Sequence, residues 1–182
     1  LQPIHADLAD YNLVAGRSAD GRPRITGVID FGDVMRSWRV GDLATAIAAL
    51  LVRGGRSPLV ALLAAAEGFH SVTPLTEPEV VALWPLVVSR AAVLAAGVEV
   101  QLAADPGNAY AQAERADDWR IVDAVAPVDA DLAEALLRNR LGLPPSVAAA
   151  AAVHRVTTLA ATAVPAVAAE SAVVVDLSVT ST

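Results

Sequence analysis

His5-Ala6-Asp7-Leu8-Ala9-Asp10-Tyr11-Asn12, answered further on by Asp30-Phe31-Gly32, is the stretch on which the reading of this chain turns. Residues 11–15 (Tyr-Asn-Leu-Val-Ala) and 24–29 (Arg-Ile-Thr-Gly-Val-Ile) read as short strands. The run from Gly16 to Pro23, rich in Gly, Ser, Asp and Pro, has the composition of a hairpin loop between them. An extended exit from the loop lets Asp7 and Asn12 point into one cleft. The hairpin then carries the chain out and back, so that Asp30 arrives at the end of the neighbouring strand. Asp7 and Asp30 as mere turn or cap residues, and His5 as an ordinary core histidine, would leave this joint spacing unexplained.

Beyond residue 40 the pattern turns helical. Asp42 suits an N-cap for a helix running to about Arg53, with a stop at Gly54-Gly55. Ser57-Pro58 opens a second helix, to about Phe69. Thr76-Glu77-Pro78-Glu79 is a capping box with proline in the first turn, leading a long apolar helix to about Ala104. Trp84-Pro85 in its early turns predicts a bend. Asp105-Pro106-Gly107-Asn108 is a turn, with helices expected over about 108–125 and 129–140. Residues 143–182 read as an Ala/Val-rich linker, with Ala172 to Val179 as the start of a following domain.

Composition narrows the chemistry. The 182 residues suit one domain with a proper core, and a 55 % hydrophobic content poor in aromatics suits helix packed on helix. With no cysteine there is no disulfide framework, thiolate nucleophile or Cys-based zinc site. A net charge of −7 speaks against a nucleic-acid partner. No uncharged run reaches the roughly 18–20 residues that cross a bilayer, so no membrane partner is expected and the location expected is cytoplasmic. All 13 basic residues are arginine, so any lysine-dependent chemistry must come from elsewhere. Leu1 in place of methionine points to an excerpt from a longer protein.

The two motif runs fit H-x-D-L-x-x-x-N and D-F-G, the catalytic-loop and metal-binding patterns of kinases apart from the loop arginine. Phosphoryl transfer requires a carboxylate to orient and deprotonate the acceptor hydroxyl, and hard oxygen ligands for magnesium on the β- and γ-phosphates. Asp7 is the candidate base, with His5 beside it in the loop; Asn12 and Asp30 are the candidate metal and nucleotide ligands. With Gly41-Asp42-Leu43-Ala44 downstream, residues 1–142 resemble the aminoglycoside phosphotransferase and choline kinase superfamily. The loop ending Ala9-Asp10-Tyr11-Asn12 and the run Ile29-Asp-Phe-Gly-Asp33 look most like its hydroxylysine-kinase-like branch. Bacterial members of that branch can be fused to class III aminotransferase-like phospholyases.

The resemblance implies an α+β, mainly α fold: the C-terminal lobe of a protein-kinase-like fold, with a β-hairpin carrying the catalytic loop on about five helices. It implies ATP as co-substrate, Mg2+, and a small-molecule acceptor, a cationic amino alcohol or hydroxylated amino acid. The N-terminal kinase lobe would be missing and the fragment inactive alone. The rival reading is a non-catalytic scaffold lobe within a multidomain aminotransferase/phospholyase fusion. Asp33 reads as a secondary polar residue of the site or as a turn residue. Glu114, Asp117 and Asp118 read as a solvated acidic face or as the holders of a substrate amine. Asp42 can buttress the catalytic loop, though an N-cap role explains it. Trp84 and Trp119 can flank a cation, though buried packing is the readier explanation.

Overall fold

Two small antiparallel ladders bracket the motif runs. A computed structural model describes residues 1–52 and 57–163, with side chains as far as residue 160. Strand β1 (Gln2–Ile4) pairs with β4 (Met35–Ser37), Gln2 opposite Ser37 and Ile4 opposite Met35. Strand β2 (Leu13–Arg17) pairs with β3 (Pro23–Val28), Leu13 opposite Val28 and Arg17 opposite Pro23. The hairpin is therefore present, with β2 starting two residues later than expected. Its loop closes through Ser18, whose N–H donates to the Arg22 carbonyl at 2.9 Å, with Gly21 at φ +81° supplying the left-handed residue. The β1–β4 pair was not legible in the sequence, because three-residue strands carry no alternation to read. Residues 5–12 thus run from β1 to β2, and residues 29–34 from β3 to β4. Each motif run is held at both ends.

Six α-helices occur among the described residues: α1 (Arg39–Val52), α2 (Pro58–Val72), α3 (Glu77–Ala104), α4 (Ala109–Val125), α5 (Ala130–Leu141) and α6 (Val147–Ala163). The fold is mainly helical with small antiparallel sheets. It divides into two compact units, one from Leu1 to Pro127 and one from Val128 onward. In the first, α3 packs on α1 and α4. Ile47, Leu62, Val80, Leu83, Val87, Ile121 and Val125 are its fully buried large side chains. Emptying a position such as Leu83 to alanine would cost about 2–5 kcal/mol. By length and composition alone α3 is apolar enough to cross a bilayer. Here it is a core helix, with Val80, Leu83, Trp84, Val87, Ala91, Ala95 and Val98 buried. It remains one α-helix through Pro85.

Three expectations need correction. Helix α1 begins at Arg39, so Asp42 lies inside its first turn rather than capping it. Residues 147–163, read as linker, form α6, which packs on α5 with Ala149 and Ala152 buried. Alanine is the best helix former, and an almost uncharged Ala run hides its period until a partner surface defines it. The expected fifth helix, α5, belongs with α6 in the second unit rather than with residues 1–127. Within that unit a buried ion pair links Arg138 to Glu134, Nε to Oε1 at 2.6 Å. Arg138 Nη1 also donates to the Pro144 carbonyl at 3.0 Å, and Gly142 ends α5 at φ +67°. The Gly54-Gly55 stop and the strand expected over 172–179 lie outside the described residues.

The capping box at α3 joins two helices. Glu79 accepts from the Thr76 N–H at 2.8 Å and the Thr76 hydroxyl at 2.9 Å, and takes both Arg39 Nε and Arg39 Nη2 at 2.6 Å. The Arg39 guanidinium above all holds the Glu79 carboxyl down at about 2. A depressed carboxyl stabilises the fold above its ordinary value near 4.5, and that contribution fades as pH falls from there through about 2. Glu79→Gln should therefore destabilise the protein by about 1–2 kcal/mol at pH 7, less than the full shift implies because the pair is partly solvated. Denaturant unfolding of wild type and variant from pH 7 to pH 2 should show the gap closing toward the acid end. A gap that persists unchanged at pH 2 would exclude the ion pair as its source.

Candidate active site

The loop after β1 turns on a residue that does not favour its conformation. Ala6 sits at φ +67°, in the left-handed region, which costs a non-glycine residue roughly 1 kcal/mol. Asp42 holds it there: Oδ2 accepts from the His5 N–H at 2.9 Å and Oδ1 from the Ala6 N–H at 2.7 Å. The aspartate is thus a buttress of the loop, and the N-cap explanation falls.

His5 is buried and joins the two motif runs. Its Nε2 donates to the Ile29 carbonyl at 2.9 Å, which requires the proton on Nε2 because a carbonyl only accepts. Nδ1 is buried without a partner, and the ring lies against Phe31 with centroids 5.1 Å apart. A second tie runs from the Ile29 N–H to the Asn12 carbonyl at 3.0 Å. Asn12 and the residue before Asp30 are therefore neighbours across the backbone. His5 serves this joint; no contact places it on the Asp7 carboxylate.

Asp7 gathers three donors. Asn12 Nδ2 reaches Asp7 Oδ2 at 3.0 Å and the Asp7 carbonyl at 2.8 Å. The Tyr11 hydroxyl lies 3.2 Å from Oδ1 and 3.0 Å from Oδ2, and Arg90 Nη2 lies 2.9 Å from Oδ1. Burial first, then the bond to Asp7, pushes the Tyr11 phenol up to about 12, so it remains a donor throughout the working range of an enzyme. Because Asn12 commits its amide nitrogen to Asp7, its Oδ1 is the atom left for another ligand. Asp30 is exposed at φ +61°, its Oδ1 at 3.5 Å from the Gly32 N–H, a long and weak contact. Asp33 is exposed in the turn that follows.

Beside Asp7 opens a pocket of about 430 Å³ between α1, α3 and α4, walled by Tyr11, Arg90, Gln101, Tyr110, Glu114 and Asp118 among others. Glu114, Asp117 and Asp118 do line it, so the acidic helix face is a pocket wall and not only a solvated surface. Asp117 is ion-paired with Arg120. Burial, then the charges of Glu114 and Asp117, raise the Asp118 carboxyl, while Arg90 opposes the rise. Neither tryptophan lines the pocket. Trp84 is buried in the core, and Trp119 donates from Nε1 to Glu99 at 2.8 Å.

Arg90 and Tyr11 were not singled out in the sequence. A signal existed for Arg90: it is the sole basic residue of a 28-residue apolar helix. For Tyr11 there was none beyond its position four residues after Asp7.

The family model described as "Phosphotransferase enzyme family" (APH) matches residues 1–84. Hydroxylysine kinase of Mus musculus is 33% identical over 90 residues, 47% of this chain and 24% of that protein. Hydroxylysine kinases of Bos taurus (35% over 90 residues) and Xenopus laevis (32% over 91) match over the same shares. The match thus spans about a quarter, 24%, of the length of these curated relatives. No solved structure matches the chain.

Asp42→Ala removes two charge-assisted bonds and releases the left-handed turn at Ala6. It should destabilise the first unit by about 2–4 kcal/mol. Asp42→Asn keeps one acceptor oxygen and should cost about half as much. Chemical unfolding of the two variants measures this, and equal stability of Asp42→Ala and wild type would refute the buttress.

Proposed function

We propose, for a chain whose first 84 residues are assigned to the aminoglycoside phosphotransferase-like superfamily, that the full-length protein phosphorylates a hydroxyl of a small hydroxylated amine, with ATP as donor. The observation that carries this is the setting of Asp7: a carboxylate fixed by Tyr11, Asn12 and Arg90, of which Tyr11 and Arg90 line an acid-walled pocket. A base for phosphoryl transfer must sit where the acceptor hydroxyl arrives and stay ionised there. Three donors on one carboxylate fix its orientation. The acceptor hydroxyl would hand its proton to Asp7 as its oxygen attacks the γ-phosphorus and the bond to ADP breaks.

The residues fit a magnesium ion held jointly with a nucleotide. Asn12 Oδ1 and the exposed Asp30 carboxylate are hard oxygen donors of the kind Mg2+ takes. Among the described residues no group of three His, Cys, Asp or Glu side chains converges to hold a metal on its own. Magnesium in such a site rests on one or two protein oxygens with phosphates and water completing its shell, and supplies neutralisation of the phosphate charge.

The relatives named hydroxylysine kinase support a hydroxylated amino acid as acceptor. Glu114 and Asp118 would hold its ammonium groups, since Asp117 already has Arg120. Asp33, outside that pocket, keeps at most a secondary place nearer the metal. Ile25, Ile29, Phe31, Val34, Met35 and Trp38 stand exposed between residues 25 and 38, apolar surface that a nucleotide-gripping lobe would cover. The chain's lack of lysine fits that division of labour.

In the full-length protein, Asp7→Asn should lower kcat by about 10²–10⁴-fold with nucleotide affinity unchanged. Asp30→Asn should instead raise the Mg2+ concentration needed for half-maximal activity. Steady-state kinetics with a magnesium titration separates the two. Near-normal kcat in Asp7→Asn would remove Asp7 from this role.

A further inference from the structure

We propose that Arg90 is the specificity residue that anchors the acceptor's α-carboxylate, so that the site takes a hydroxylated amino acid in preference to the same amino alcohol without its carboxyl group. This rests on the phosphotransferase reading above and deepens it. Arg90 is the one basic side chain among the residues lining the 430 Å³ pocket, facing Asp10, Glu114, Asp117 and Asp118 there. In a chain without lysine, no other pocket group offers a positive charge to an anion. A zwitterion carries both signs, and this wall presents both: carboxylates on α4, a guanidinium on α3.

The guanidinium is also incompletely used. One Nη2 hydrogen bonds Asp7 Oδ1 at 2.9 Å, while Nε is buried with no partner at all. The donors open to a ligand are the remaining Nη hydrogens of a side chain that is 27 % exposed, and a carboxylate oxygen is the acceptor they suit. The planar fork of arginine accommodates more than one oxyanion, which a lysine ammonium does with less geometric control. A purely structural partnership with Asp7 explains the 2.9 Å contact. It does not explain why the side chain forms part of the pocket wall with Nη donors left over.

One consequence concerns geometry. Because the same guanidinium touches Asp7, a carboxylate seated on it fixes the distance between the acceptor's backbone end and the base. The hydroxyl further along the acceptor is then presented to Asp7 at a set reach, with Glu114 and Asp118 left for the ammonium groups. A diamino alcohol lacking the carboxyl would leave Arg90 without an anion and bring its own cations toward a like charge.

The test uses the full-length protein with ATP and Mg2+ and two acceptors: hydroxylysine, and the diamino alcohol it would become on loss of its carboxyl group. Wild type should favour hydroxylysine in kcat/KM by about 10-fold or more, the scale of one charge-assisted contact. Arg90→Gln should raise KM for hydroxylysine about 10–100-fold and abolish the preference, with Arg90→Lys keeping part of it. Any loss of kcat from loosening Asp7 should fall on both acceptors alike, which separates positioning of the base from recognition of the carboxylate. Equal kcat/KM of wild type on the two acceptors overturns the proposal without recourse to a variant. So does an Arg90→Gln defect of the same size on both. Absence of phosphorylation of either acceptor, or of any hydroxylated amine, overturns the phosphotransferase reading together with this one.

Discussion

Two hydrogen bonds from the backbone of His5 and Ala6 to the carboxylate of Asp42 hold the rest of the site in place. Without them nothing compensates the left-handed turn at Ala6, the residue immediately before Asp7. The carboxylate belongs to the first turn of α1, and α1 is locked in turn to α3 through Arg39 and Glu79. The loop is thereby referenced to the helical core and not to the two short ladders alone. A site on so small a sheet needs such an anchor, because two-stranded pairs are marginal by themselves. His5 then extends the same frame to the second motif run through Ile29.

The electrostatics follow from that frame. A net acidic chain concentrates negative charge in one pocket, and the single guanidinium from α3 stands where that field meets Asp7. Its charge opposes the rise that burial, Glu114 and Asp117 impose on the Asp118 carboxyl, while its Nη2 is bonded to Asp7. The Tyr11 phenol, pushed up to about 12, adds a donor that never becomes a competing anion at working pH. Asp7, Arg90 and the α4 carboxylates thus form one interacting group, and removal of any member changes the field on the others.

Much of this was legible from residues 5–12 and 30–32, where residue type and spacing together limited the chemistry to few answers. The hairpin, the capping box at Thr76–Glu79 and five helices were readable because Gly, Pro and capping residues mark boundaries locally. What could not be read was long-range. Arg90 is 83 residues from Asp7, and no local pattern announces that pairing. Asp42 satisfied a local rule so well that its actual partners, 36 and 37 residues away, were second choice. Helix α6 was hidden for the opposite reason: an alanine run satisfies every rule weakly and needs its contact with α5 to choose one.

The pocket itself arises from side-chain size. Arg90, Leu94, Gly97, Val98 and Gln101 recur at helical spacing along α3, and Ala111, Glu114 and Asp118 do so along α4. Helix α3 packs against α4 along a seam, and the buried positions of the two helices include small ones, Ala91 and Ala95 on α3 and Ala111 on α4. Beside that seam lies Gly97, a residue that weakens a helix interior by roughly 1 kcal/mol relative to alanine. A β-carbon added there would meet no atom within 4 Å, so no tight packing explains the glycine. A side chain at 97, a pocket-lining position, would instead occupy pocket volume. The sequence accepts a weaker helix where a larger residue would narrow the pocket.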